Sequence, residues 1–117
     1  MSQHILTPSE LIEQLNQGPV EFTDVIACID QHYVFTPVAF TNGEISNEAG
    51  TNLGSCKIFA FAKRHQLSES ATLHAFGAFY SEDVLKHPDA TDHQNIRNFM
   101  RSGWQGVSFA EDALQAK

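Results

Sequence analysis

The spacing of apolar residues along the chain predicts a protein built mainly of α-helices. Shorter apolar stretches lie before and after one clear amphipathic helix, and Thr7, Thr23, Ser68 and Thr91 are the expected N-caps. The amphipathic helix repeats apolar side chains at intervals of three and four residues, at Phe22, Val25, Ile26, Ile29 and Tyr33.

One predicted helix is apolar on every side and is therefore expected at the centre of the molecule. It starts at Ser55 and continues through 58–62. Before it, a β-branched and aromatic stretch leads to the turn pair Asn42-Gly43, which predicts a short hairpin or an extended insert near 34–47. Residues 110–117 are expected to fray or to form a loose turn.

The predicted fold class is thus mainly α, or α+β with a small β hairpin. About five helices surround the buried central helix, and residues 1–117 form a single domain. A chain of 117 residues with 42% hydrophobic residues can bury a core without a metal or a disulfide framework.

The charged residues of the chain limit the kinds of partner that it can bind. Seven Lys and Arg stand against 14 Asp and Glu, giving a net charge of −7, and the cations are scattered. We therefore expect no nucleic-acid partner and no membrane partner, because both need a concentrated basic face. Two cysteines and an N-terminus without a signal-peptide pattern favour a cytoplasmic protein.

The polar stretch at residues 42–57 is the first candidate site. It is dense in Asn, Gly and Ser and precedes the central helix, whose first N–H groups have no partner within the helix. Such a terminus favours an anion, and Gly50 and Gly54 would allow a group to approach the backbone. The alternative is structural: Ser55 caps the helix and the asparagines satisfy turns.

A nucleophile is the second candidate, since Cys56 lies at the start of that helix. The dipole and Lys57 are expected to lower the thiol pKa, and His93 is the candidate base, oriented by Asp92 or Asn95. The alternative is that Cys56 only packs in the core. No HxxxH, HExxH or CxxC spacing predicts a metal, and no nucleotide-binding loop predicts a cofactor.

Several segments of the chain together resemble the HopJ type III effector family. The resemblance covers nearly the whole chain and rests on 35–43, 47–59, 87–88, 91–100 and 103–109, including Gly54-Ser55-Cys56-Lys57 and Gly103-Trp104-Gln105-Gly106. It implies a HopJ-like domain delivered into host cells by a type III secretion system. It implies no established enzymatic activity and no catalytic residue.

We expect a shared polar pocket between residues 42–57 and 91–97. Three functions remain open: an effector-like binding module for a small anion or a protein partner, a small hydrolase or transferase using Cys56 and His93, and a housekeeping protein whose polar loop is structural. The expected ligand-binding residues are Asn42, Asn47, Glu48, Asn52, Ser55, Lys57, Asn95 and Arg97.

Overall fold

The computed structural model describes residues 5–117 and confirms a mainly helical α+β fold. These residues form five α-helices, one π-helical turn at Phe79–Val84 and one 3₁₀ turn at Gly103–Gly106. The α-helices are α1 (Pro8–Leu15), α2 (Phe22–His32), α3 (Leu53–Arg64), α4 (Glu69–His74) and α5 (Gln94–Ser102). The strands are β1 (Tyr33–Phe35), β2 (Phe40–Asn42), β3 (Ile45–Asn47), β4 (Val107–Phe109) and β5 (Leu114–Ala116).

Two helices begin where local sequence signals place them. Thr7 accepts a hydrogen bond from the Glu10 N–H at 3.2 Å, and the Glu10 carboxylate accepts one from the Thr7 N–H at 2.9 Å, which completes a capping box at α1. Ser68 caps α4 by accepting from the Ala71 N–H at 3.0 Å.

The two other predicted N-caps, Thr23 and Thr91, and the predicted start at Ser55 were wrong. Helix α2 begins at Phe22, before Thr23, and α3 begins at Leu53, two residues before Ser55. Helix α5 begins at Gln94, with His93 rather than Thr91 at its N-cap. The caps of α3 and α5, Asn52 and His93, are in the left-handed region at φ 48° and 51°, and neither side chain bonds to its helix.

The predicted hairpin exists as β2 and β3, but its turn lies one residue later than expected. Asn42 pairs with Ile45, so the two-residue loop is Gly43-Glu44 and Asn42 is the last residue of β2. Gly43 has φ +61°, which suits the first central position of a hairpin turn. Consequently Asn42 is fully buried instead of solvated in a turn. Strand β4 pairs with the other edge of β2.

The expected fraying of residues 110–117 was also wrong. Strand β5 pairs antiparallel with β1, so that Phe35 lies opposite Leu114. Ala113 and Leu114 are buried, and the Thr36 N–H donates to the Ala113 carbonyl at 2.8 Å. Burial of these two apolar side chains holds the segment on the core.

The core confirms the central position of α3. Its buried residues include Ile58, Phe59 and Phe61. The Phe59 ring meets the rings of Phe40, Phe76, Phe99 and Trp104 at centroid distances of 6.0, 5.4, 5.0 and 6.4 Å. Because these rings come from distant segments, Phe59 fixes the position of α3 among its neighbours.

Candidate functional site between two helix N-termini

A cavity of about 380 Å³ lies where the first turns of α3 and α5 meet. Residues from both segments that the sequence paired contribute to its wall. The full lining is Phe22, Ile45, Asn52, Gly54, Ser55, Phe76, Phe79, His93, Gln94, Asn95 and Ile96. Both left-handed cap residues are therefore part of the same wall.

The first turns of both helices, which carry free backbone N–H groups, contribute residues to the wall of this cavity. In α3 the first cap bond runs from the Cys56 N–H to the Asn52 carbonyl at 2.9 Å, so residues 53–55 have no partner within the helix. In α5 the corresponding bond runs from Arg97 to His93 at 3.1 Å, which leaves residues 94–96. No side chain of either cap residue accepts from these groups.

Four asparagines hold the two helix starts together. Asn95 is at the centre: its backbone carbonyl and Oδ1 accept from Asn42 Nδ2 at 2.7 and 3.0 Å, and its Oδ1 accepts from Asn47 Nδ2 at 3.2 Å. Asn95 Nδ2 and Asn52 Nδ2 donate to Asn47 Oδ1 at 3.0 and 2.6 Å. This network ties β2 and β3 to the N-termini of α3 and α5. Asn52 and Asn95 line the cavity, while Asn42 and Asn47 support it from the interior.

His93 lines the cavity and contacts a carboxylate, that of Asp83, which the sequence analysis did not identify. Its Nε2 lies 3.1 Å from Asp83 Oδ2 and 3.8 Å from Asp92 Oδ2. Its ring is 5.1 Å from that of Phe79, which comes from the same π-helical turn as Asp83. His93 follows Asp83 by ten positions across a loop, so no helical or strand spacing signals the pair.

Arg97 is occupied by the loop before α5. Its Nη2 donates to Asp92 Oδ1 at 2.7 Å and its Nε to the Asp92 carbonyl at 2.6 Å. Its Nη1 donates to the carbonyls of His87 and Pro88 at 3.0 and 3.2 Å. The hydrogen bond from Arg97 lowers the pKa of the Asp92 carboxyl. Arg97 and Asp92 therefore organise the 87–92 loop instead of lining the cavity.

The environment of Cys56 differs from the one that the sequence predicted for a reactive thiol. The side chain is buried, its Sγ lies 3.8 Å from the Val38 carbonyl, and burial raises the thiol pKa instead of lowering it. Lys57 pairs with Asp30 at 2.8 Å and lies over the Phe35 ring, away from the cavity lining. Burial also raises the pKa of Cys28, to about 11.

Two residues of the polar loop, Glu48 and Gly54, have surroundings that the sequence did not indicate. Glu48 is exposed and outside the cavity lining, where its backbone carbonyl accepts from the Thr51 hydroxyl at 2.6 Å. Gly54 does admit a close neighbour, but the neighbour is the Phe22 ring: a Cβ on Gly54 would lie 2.6 Å from Phe22 Cζ. This glycine lets an aromatic ring form the cavity wall.

Within residues 5–117, no group of three or more His, Cys, Asp or Glu side chains is gathered as a metal site requires. No helix in the same part of the chain is long and apolar enough to span a membrane. The wall of the cavity therefore consists of helix first turns, carboxamide side chains, one histidine and apolar side chains.

The fold and the cavity define a small α+β domain with a mixed polar and apolar pocket. The family model for the HopJ type III effector protein matches residues 8–114, and the chain belongs to that family. It is also similar to the crystal structure of the unknown function protein VPA0580, with 49% identity and a TM-score of 0.91 over 100% of this chain and 97% of that chain. No curated protein matches the chain. Neither match assigns a biochemical activity to the chain.

Proposed function

We propose that this HopJ-family protein is a binding module that holds a small anion between the N-termini of α3 and α5. The observation that carries the proposal is that the first turns of two helices, neither with a side-chain cap, contribute to the wall of one cavity. Each helix N-terminus is equivalent to about half a positive charge, so two converging ends attract about as strongly as one cation. Backbone N–H groups also bind an anion without losing side-chain entropy.

The acidity of the chain does not prevent anion binding at this position. The two carboxylates nearest to His93 have cationic or hydrogen-bonding partners, since Asp83 contacts His93 and Asp92 contacts Arg97. More distant surface charges act weakly, because physiological salt screens exposed charges beyond about 8 Å. The local N–H groups are therefore the dominant electrostatic feature.

The remainder of the wall indicates that the anion carries an apolar body. Phe22 and Phe79 meet edge to face at a centroid distance of 5.1 Å, and Phe76, Ile45 and Ile96 complete the apolar surface. Phe79 is 39% exposed, which is high for a large aromatic side chain. A small carboxylate or phosphate ester with an aromatic or branched aliphatic group matches both halves of the cavity.

Calorimetric titration with benzoate and acetate tests this proposal. The parent is expected to bind benzoate more tightly than acetate, because only benzoate reaches the apolar wall. Ser55→Asp places a carboxylate in the first turn of α3, where it competes for the N–H groups, and should weaken benzoate binding at least about tenfold. The added acid also favours the helix itself, so folding should be retained.

Ser70→Asp is the matched control, because it adds the same charge to the first turn of α4 at an exposed position outside the cavity. Its benzoate affinity should equal that of the parent. No binding by the parent, or equal binding by Ser55→Asp and the parent, would refute the anion site.

We also propose that the protein is exported to a host cell through a type III secretion system. The support is membership of the HopJ type III effector protein family. A translocation reporter fused to the C-terminus of this chain should signal inside host cells from a bacterium with the secretion system and not from one lacking it. Equal reporter signal, or none, from both bacteria would overturn this proposal.

A further inference from the structure

We propose that His93 acts as a general base that activates a water molecule against a carboxylic ester bound in the cavity, with Asp83 as its positioning residue. The inference rests on the proposed anion site, because the same N–H groups would receive the carbonyl oxygen of the ester. It adds a reaction to a binding function.

The contact with Asp83 decides which nitrogen of His93 is the base. An ionised carboxylate can only accept a hydrogen bond, so Nε2, at 3.1 Å, carries the proton and donates it to Asp83 Oδ2. Nδ1 is then the unprotonated nitrogen with a free lone pair. No protein group within residues 5–117 hydrogen-bonds to Nδ1, so the lone pair is available to a water molecule.

The position of His93 separates it from the other histidines in the described part of the chain. It is the histidine that lines the cavity, whereas His65 and His74 are bonded to Tyr33 and to the Leu15 carbonyl. Its backbone is also held at φ 51°. Three non-glycine residues in 5–117 have positive φ, and two of them, Asn52 and His93, line this cavity. Uncommon backbone conformations of this kind collect at functional sites.

The reaction is the hydrolysis of an ester to a carboxylic acid and an alcohol. His93 Nδ1 takes a proton from water while the water oxygen bonds to the carbonyl carbon and the carbonyl electron pair moves onto oxygen. The first turns of α3 and α5, which place residues 54–55 and 94–96 in the cavity wall, carry the free N–H groups that would receive this oxyanion. When the tetrahedral intermediate collapses, the bond to the alcohol oxygen breaks, and this oxygen takes the proton from the imidazolium. Asp83 holds the ring and balances its transient positive charge.

The apolar wall selects the substrate class. A small ester whose acyl or alcohol group is aromatic or short aliphatic can lie against Phe22 and Phe79. The cavity, at about 380 Å³, is within the range of small-molecule sites. The carboxylate product is the anion that the proposed function places there, so benzoate should inhibit the hydrolysis.

The test measures hydrolysis of p-nitrophenyl butyrate by the full chain. His93→Asn removes the base, and Asn tolerates the left-handed backbone, so the variant should fold. A positioned general base contributes about 10²–10⁴-fold, and His93→Asn should lower the second-order rate constant about 100-fold. His87→Gln is the matched control, an exposed histidine in the same loop outside the cavity, and should retain the parent rate.

Asp83 is tested by a readout that a structural role would not change. The ¹⁵N chemical shifts of the neutral His93 ring should show the Nε2–H tautomer in the parent and loss of that preference in Asp83→Ala. Asp83→Ala should also lower the hydrolysis rate at least about tenfold, while the exposed Asp89→Ala should do neither.

Three results would overturn the inference: no hydrolysis by the parent above buffer, equal rates in the parent and His93→Asn, or an Nδ1–H tautomer in the parent. If benzoate binding remains sensitive to Ser55→Asp in any of these cases, the inference fails and the anion-binding function stands. If benzoate does not bind either, both fail.

Discussion

At the scale of single residues, Asn95 is the side chain on which the geometry of the cavity depends most. It is 7% exposed and bonds to Asn42 and Asn47 through both ends of its carboxamide. A carboxamide can donate and accept at once, which no apolar side chain of similar size can do.

Asn95→Ala should therefore reduce the free energy of unfolding by about 2–3 kcal/mol, because it removes the side-chain hydrogen bonds that Asn95 makes to Asn42 and Asn47 in the buried network. Urea denaturation with the parent measures the difference. Gln17→Ala, which removes an exposed carboxamide, is the control and should change stability by no more than about 0.5 kcal/mol. An equal effect of the two substitutions would show that the network does not hold the fold.

His65 gives the protein a defined dependence on pH. Burial first, and the nearby Arg64 second, lower its pKa below the ordinary value of 6.5. The unfolded chain therefore binds a proton to His65 before the folded chain does, so this contribution to stability is complete above about pH 6.5 and is lost as pH falls through the lowered folded pKa. The neutral ring also lies 2.6 Å from the Tyr33 hydroxyl.

Unfolding free energies at pH 7.5 and pH 5.5 test this expectation. The parent should be less stable at pH 5.5, and His65→Gln should show a smaller loss between the two values. His87→Gln, at an exposed position, should retain the parent difference. A parent-like pH dependence in His65→Gln would contradict the assignment.

At the scale of elements, the β2–β3 hairpin depends on Gly43. Its φ is +61°, and a Cβ there would lie 2.7 Å from Ser102 Oγ and 3.1 Å from Asn98 Oδ1 at the end of α5. Gly43→Ala should lower the free energy of unfolding by about 1–2 kcal/mol, because it adds backbone strain and a steric contact.

Gly50→Ala is a matched comparison for this substitution. Gly50 also has positive φ, +90°, but a Cβ there meets no atom within 4 Å. Its effect reports backbone strain alone, so thermal denaturation should rank Gly43→Ala as the more destabilising change. The reverse order would show that the hairpin does not press on α5.

The helix starts illustrate which local features the sequence could predict. The caps of α1 and α4 were predicted because Thr7 and Ser68 bond to backbone groups three residues away, an interaction that is complete within one turn. The starts of α3 and α5 were missed because Asn52 and His93 begin their helices from a left-handed backbone without a side-chain cap. Contacts from other elements hold these two residues, and the helix propensity of the local sequence does not reflect such contacts.

At the scale of the whole molecule, the C-terminal segment closes the fold against β1. Leu114 is 4% exposed and pairs with Phe35, across most of the length of the chain. Leu114→Ala should cost about 2–4 kcal/mol of unfolding free energy, because it removes a buried side chain.

The exposed neighbour Gln115 provides the control in the same strand, and Gln115→Ala should be nearly neutral in chemical denaturation. Equal stability of the Leu114→Ala variant and the parent would mean that residues 110–117 are peripheral to the core, as the sequence had suggested.

The candidate site was predictable only in part. The Asn- and Gly-rich loop and the start of the last helix could be chosen from sequence because their polarity is unusual beside apolar helices. Phe22 and Phe79 could not, since they reach the cavity from α2 and from the π-helical turn through tertiary packing. Asp83 could not either, since it reaches His93 from the same turn. The predicted lowering of the Cys56 pKa rested on its position at the helix start, which indicates the helix dipole but not the burial that raises the pKa.

The most direct measurement of the central claim is an amide ¹H–¹⁵N NMR titration of the full chain with benzoate. The account predicts saturable shifts that are largest at the N–H groups of Gly54, Ser55, Asn95 and Ile96, at the two helix starts, and absent in Ser55→Asp. Shifts scattered over the surface, or the same shifts in Ser55→Asp, would contradict an anion site between the two helices.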